Sequence, residues 1–339
     1  MRLLRLWPLM VSSLALSQTI TPLSSNTTES LRGLSVVSAQ IIWASGTHGT
    51  YLRSLDGGET WTASQVPGGE SLDFRDVQAF SADQAYLLSA GPGEQSRIYK
   101  TDDAGKNWTL QFTNPEARGF FDCMAFWDTK HGIAIGDSLD GRFELISTED
   151  GAHWASTAGA FGPRSFVDEG SFAASGTCIA VQGENVVWFV TGVNAARVFH
   201  SSNRGQTWSA ADAPLLHDGN SAGIFSIAPG QNGSAVIAGG DYQHPELDGV
   251  KLAYTEDGGM TWRPSPLAPQ SFFSAIALDP SNSTRIIAVG STHTGYALDI
   301  RDDHWRMFWD TNLNAVAFAG PSVAYAVGPK GTIVRFTLP

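Results

Sequence analysis

Gly219-Asn-Ser221-Ala-Gly223 holds a serine in the spacing G-x-S-x-G, which hydrolases use to expose a nucleophile at a strained turn between a strand and a helix. The segment that follows, Ile224-Phe-Ser-Ile-Ala228, alternates like a strand, so the reading favoured for Ser221 is a polar residue at a channel entrance. Five carboxylates, Asp76, Asp122, Asp137, Glu169 and Asp241, fall near the expected ends of apolar strands or in adjoining loops. Two such groups facing one pocket would serve a glycosidase as acid and as base or nucleophile, and Asp76, Asp122 and Glu169 are the candidates for that role. The bland reading, solvated carboxylates at a polar channel mouth, is preferred. Arg75 and Arg197, with Arg118, Arg142 and Arg164, are available to hold an anion. The eight histidines show no metal-ligand spacing and no Gly-rich loop opens a helix, so no metal or other cofactor is expected.

These residues need elements to hold them, and the chain repeats one. A hydroxyl residue, an acid or amide two places on, Gly at four and Trp at seven recur five times. The turn positions are Asp56, Gly58 and Trp61, then Asp103, Gly105 and Trp108, Glu149, Gly151 and Trp154, Asn203, Gly205 and Trp208, and Asp257, Gly259 and Trp262. Successive Trp residues stand 47, 46, 54 and 54 positions apart, the period of one four-stranded propeller blade. The acid or amide can bond backbone N–H groups two residues on, the Gly supplies a positive φ, and the Trp opens the next strand with its ring buried. Apolar inner strands begin near Leu34, Asp76, Asp122, Thr177, Ile224, Ser274 and Asn314, which gives seven blades. The sixth keeps Trp305 without the hydroxyl and Gly, so its turn is built differently. The seventh lacks an outer strand, and Gln18–Leu23 is the segment available to complete it against Thr332–Phe336. The fold expected is therefore all-β, a seven-bladed propeller of four-stranded antiparallel blades closed by an N-terminal strand. Two insertions, Phe161–Gly170 and Asp241–Gly249, depart furthest from this grammar and are expected on one face, where Asp137, Ser221, Asp241 and Tyr242 join Arg75 and Arg197 as binding candidates.

Residues 1–17 carry Arg2 and Arg5, an apolar run and small Ala15 and Ser17, the pattern of a cleaved secretory signal, leaving residues 18–339 as one domain. Cleavage moves the net charge from −12 to −14, a surface that repels nucleic acid. A periplasmic or secreted monomer with no membrane span after cleavage is expected. Cys123 and Cys178 align on the inner strands of adjacent blades; a disulfide is geometrically conceivable, but two small buried thiols are the favoured reading.

The frames resemble the Asp-box, or bacterial neuraminidase repeat. Phe121-Asp-Cys-Met-Ala-Phe-Trp-Asp-Thr-Lys-His-Gly-Ile-Ala-Ile-Gly-Asp137, Glu169-Gly-Ser-Phe-Ala-Ala-Ser-Gly-Thr-Cys178 and Ser221-Ala-Gly-Ile-Phe-Ser226 are similar to exported bacterial propellers of the photosystem II stability/assembly-factor type. That resemblance covers essentially the whole chain after residue 17 and implies a binding or assembly scaffold that meets a partner protein through an arginine-bearing surface. The Arg-Ile-Pro segment of sialidases of this shape is missing. A non-catalytic scaffold with a protein or glycan partner in the cell envelope is the leading expectation, and a glycoside hydrolase or lyase using carboxylates at the channel mouth is the alternative.

Overall fold

A computed structural model describes residues 18–157, 162–266, 270–301 and 304–339; the leader at 1–17 and Phe161 lie outside the described residues. Seven four-stranded antiparallel sheets form the blades of a propeller. Among the described residues the helical element is a 3₁₀ turn at Gly93–Gln95. The inner strands are Leu31–Val36, Phe74–Ala79, Phe121–Phe126, Ile179–Gln182, Ala222–Pro229, Ala275–Asp279 and Ala315–Gly320, numbered here as blades 1 to 7. They start a few residues from the positions expected, and in blade 1 three residues earlier. Inner strands face neighbours on both sides and are largely buried, as in the wholly buried Phe121–Phe126, whereas outer strands such as Thr62–Gln65 are polar and largely open.

Ring closure follows the expectation, with each of the two strands beginning one residue later. Thr19–Leu23 pairs antiparallel with Ile333–Thr337, running from Thr19 opposite Thr337 to Leu23 opposite Ile333. On the inner side Asn314 Nδ2 donates to the Leu31 carbonyl at 2.7 Å, so the first and last blades are latched at the channel as well as at the rim.

The repeat turns are hydrogen-bonded units. In the first, second, fourth and fifth, the hydroxyl of Ser54, Thr101, Ser201 or Thr255 accepts from the Gly N–H four residues on at 2.8–3.1 Å. Asp56, Asp103, Asn203 and Asp257 accept from the N–H four residues on, not two as expected, at 2.8–2.9 Å. The third turn corrects the sequence reading. Thr148 and Asp150 take these roles in a turn one residue tighter, with Gly151 N–H on Thr148 Oγ1 at 2.9 Å and His153 N–H on Asp150 at 2.8 Å, while Glu149 points away, 3.6 Å from the His131 ring. Each turn also meets the preceding blade. Tyr325, Tyr51 and Tyr86 donate to the carbonyls of Gly57, Gly105 and Gly151, and Trp188 lies against Gly259. Gly105 has φ +81°, and a Cβ there would lie 2.5 Å from Tyr51 Oη. Glycine is thus required twice over, by backbone conformation and by the approach of the neighbouring ring. In blade 6 Asp299 instead binds Arg301 through its backbone N–H and guanidinium, and Trp305 donates to Ser265.

A second correction concerns the cysteines. Cys123 and Cys178 form a disulfide between blades 3 and 4. Cys123 in its inner strand and Cys178 at the start of the next, just before Ile179, have Cα atoms 6.0 Å apart, inside the range a disulfide spans, so the alignment that placed them also made the bond possible.

A candidate binding face at the channel mouth

Antiparallel strand order sends two kinds of connection to the end of the ring where the inner strands begin: the links from second to third strand, and those from one blade to the next. Both insertions are such links, so they share this face. The expectation of one face is met by the described part of the first insertion, whose Gly170 bridges Gly192 and whose neighbour Phe172 packs beside Tyr242 of the second.

At this face a β-bulge recurs. Register shifts between Leu31 and Gly33, Phe74 and Asp76, Phe121 and Cys123, and Ile224 and Ser226 leave one extra residue in each inner strand: Arg32, Arg75, Asp122 and Phe225. A bulge re-aims a side chain. Arg32, Arg75 and Phe225 line a cavity of about 500 Å³ at the channel mouth. Phe172, Tyr242 and Phe272 form its aromatic wall with Phe225; the Phe172 and Phe225 rings stack with centroids 3.8 Å apart, and Tyr242 is 47% exposed. Asn312, Asn314, Ser274 and Ser291 add polar groups.

The two arginines differ. Arg75 donates to Asp73 at 2.8 Å and to the Ala173 carbonyl at 3.1 Å. Arg32 has no hydrogen-bond or ion-pair partner among the described residues, and its Nε is buried. Burial, with the charge of Arg75 nearby, lowers its pKa from the usual arginine value, and Asp73 offsets part of this.

The carboxylates are placed differently from a glycosidase pair. Asp76 is buried deeper in the channel, where its Oδ2 accepts from Met124 N–H at 2.7 Å, and burial raises its pKa to about 7. Its counterpart in blade 5, Ser226, accepts from Ile276 N–H at 3.0 Å, so this position ties an inner strand to the next. Asp122 is buried beside Arg75; burial and the nearby Asp137 push its pKa well above the usual range, and its Oδ2 has no partner among the described residues. Asp137 accepts from Ser171 N–H at 3.0 Å, and burial raises it too. Glu169 receives Arg197 on both oxygens, Thr191 Oγ1 at 2.6 Å and Phe166 N–H at 2.8 Å. Arg197 also donates to the Arg164 carbonyl and lies 3.9 Å from the Phe166 ring centre. This buried pair therefore staples the first insertion to blade 4. Burial acts to raise Asp241, but the Ser221 hydroxyl and the N–H groups of Gln243 and His244 bond to it and hold its pKa low. Ser221 precedes the strand Ala222–Pro229, with no helix after it. Arg118 bridges Glu116 and Asp140 at the surface, and Arg142 donates to the Gly162 carbonyl.

Of the proposed site residues, the structure gathers Arg75 and Tyr242 at the cavity. It adds Arg32, Phe172, Phe225 and Phe272, which the sequence reading did not single out. The signal for Arg32 was present: Leu31-Arg-Gly33 and Phe74-Arg-Asp76 occupy the same place in successive repeats.

No protein-family model matches the chain. A curated relative, the photosystem II assembly lipoprotein Ycf48 of Synechococcus sp. (strain CC9902), is 24% identical over 72% of this chain, and the chain spans 62% of that protein's length. Among solved structures, YCF48 bound to D1 peptide superposes with a TM-score of 0.66 at 17% identity over 95% of this chain and 97% of that one. A streptogramin B lyase superposes at 0.69 with 14% identity, over 97% and 100%. A peptide-binding protein and a lyase thus share this architecture, and what the structural likenesses establish for the chain is the seven-bladed propeller fold itself.

Proposed function

We propose that the protein is an exported, non-catalytic binding or assembly scaffold that docks a partner protein on its insertion-bearing face. The observation that carries this reading is the convergence there of both insertions, with exposed Phe166, Val167, Tyr242 and Leu247, around an arginine and aromatic cavity. Apolar side chains gathered at one face of an otherwise acidic molecule mark an interaction surface. The similarity to Ycf48, one structure of which holds a D1 peptide, supports a protein partner. Among the described residues no carboxylate lines the arginine-bearing cavity, and Asp76 and Glu169 are committed to hydrogen bonds within the fold, which weighs against the glycosidase alternative.

The test is capture from an envelope fraction by the wild-type chain and by a Phe166→Ser, Val167→Ser, Tyr242→Ser variant, with melting temperature as a folding control. The reading expects a discrete protein held by the wild type and lost from the folded variant. Equal capture by both, or turnover of a glycan by the wild type, contradicts it.

A further inference from the structure

Arg32 poses a question that a docking face does not answer. A guanidinium carries five N–H donors, and leaving a buried one without a partner is costly. Arg75, one blade on, is satisfied by Asp73 and Ala173; Arg32, at the same bulge position, has a buried Nε with no partner among the described residues. Both face the same cavity of about 500 Å³, within the size range of small-molecule sites.

From this we infer that the cavity is a site for a small organic acid, an aromatic monocarboxylate whose carboxylate takes the fork of Arg32 and whose ring lies against the Phe172, Phe225, Phe272 and Tyr242 wall. The charge count selects a single negative charge. Two guanidiniums stand against one carboxylate, Asp73, for a surplus of one. Burial pushes the Asp122 carboxyl well above the usual range, toward its neutral form, and Lys251 near Phe272 is opposed by Asp241. A planar, bidentate carboxylate matches one guanidinium edge, whereas a doubly charged phosphate exceeds the surplus. The apolar wall opposite the arginines demands an apolar body; acetate alone leaves it wet. Ser291 Oγ, buried without a partner, and the Asn312 amide supply further polar contacts at the cavity edge.

The experiment is calorimetric titration of the full chain with indole-3-acetate and phenylacetate as probes, against phenylacetamide, acetate and inorganic phosphate. The aromatic acids are expected to bind, with the amide and the Arg32→Gln variant each weaker by about tenfold or more, the size of a lost charge-assisted contact. Arg32→Lys is expected to recover part of the affinity, having charge without the fork. The Arg32→Gln protein should melt no lower than wild type, because it loses a half-buried cation whose Nε–H has no partner among the described residues. The proposal is overturned if no aromatic acid binds up to about 10 mM, if the amide or the folded Gln variant binds equally well, or if phosphate binds more tightly. Tyr242→Ser, at a half-exposed ring, keeps the test open should Arg32 variants prove insoluble: it should weaken the aromatic acids and leave acetate unchanged. A positive titration stands whether or not a partner protein docks on the surrounding face, and partner capture stands without it.

Discussion

The buried carboxyl groups set a pH dependence that belongs to single residues. Asp76 titrates near 7 in the folded chain and near 4 when unfolded, so between those values the folded state binds the extra proton. The stability that this proton supports is complete below about pH 4 and is lost as pH rises through about 7. Asp76→Asn keeps an oxygen for Met124 N–H while removing the titration. It should therefore flatten the fall in stability across that window and make the variant more stable than wild type at pH 8, by about 2–4 kcal/mol. Urea unfolding at pH 5 and pH 8 reads this directly; an unchanged slope contradicts it. The Glu169–Arg197 pair is a different case. Glu169→Ala leaves Arg197 beneath Phe166 with its charge unanswered and should cost about 3–5 kcal/mol, while pairing it with Arg197→Met should restore part of the loss. At this scale the sequence was least informative. It offered Arg197 as available to hold an anion and Glu169 as a catalytic candidate, and the two are spent on each other. Whether a charged side chain is spent inside the fold depends on contacts such as Thr191 on Glu169 that no repeat encodes.

Elements were more legible, because the chain states them five times over. The hydroxyl, acid, Gly and Trp spacing placed the third-to-fourth-strand turn of five blades, and alternation placed the inner strands. The failure at Glu149 is instructive. The third copy offers Ser147-Thr148 and Glu149-Asp150 as two overlapping choices, and counting back from Trp154 selects the wrong one. The strand Arg142–Thr148 ends one residue later than in its siblings, so Thr148 and Asp150 close a tighter turn. Asp150→Ala should consequently lower the melting temperature, and Glu149→Ala should leave it unchanged; equal effects would refute the shifted turn. The bulge that presents Arg32 was hidden for a related reason. Period-2 reading assumes one residue per ladder step, and an extra residue at the strand start looks like loop until the register is seen. The disulfide was misjudged because sequence gives alignment, while bonding turns on the 6.0 Å separation of the two Cα atoms.

At the scale of the whole molecule, closure is the property most exposed to test. Removing residues 18–24 deletes the outer strand of blade 7, bares the Ile333–Thr337 edge and removes several ladder hydrogen bonds, each worth about 0.5–1.5 kcal/mol net. The truncated chain should melt lower and self-associate, and an unchanged melting temperature with monomeric elution would show that this strand does not hold the ring. A closed, rigid ring leaves one end free to carry irregular chain, and both insertions are at that end. Whether that face is where the protein acts is measured most directly by site-specific photo-cross-linking. A photoreactive side chain at Tyr242 or Val167 on the insertion-bearing face is compared with one at Met260, which is 75% exposed in the repeat turn of blade 5. The account predicts a discrete cross-linked protein from Tyr242 and Val167 in an envelope fraction and none from Met260. The same product from Met260, or products from Met260 alone, would contradict it.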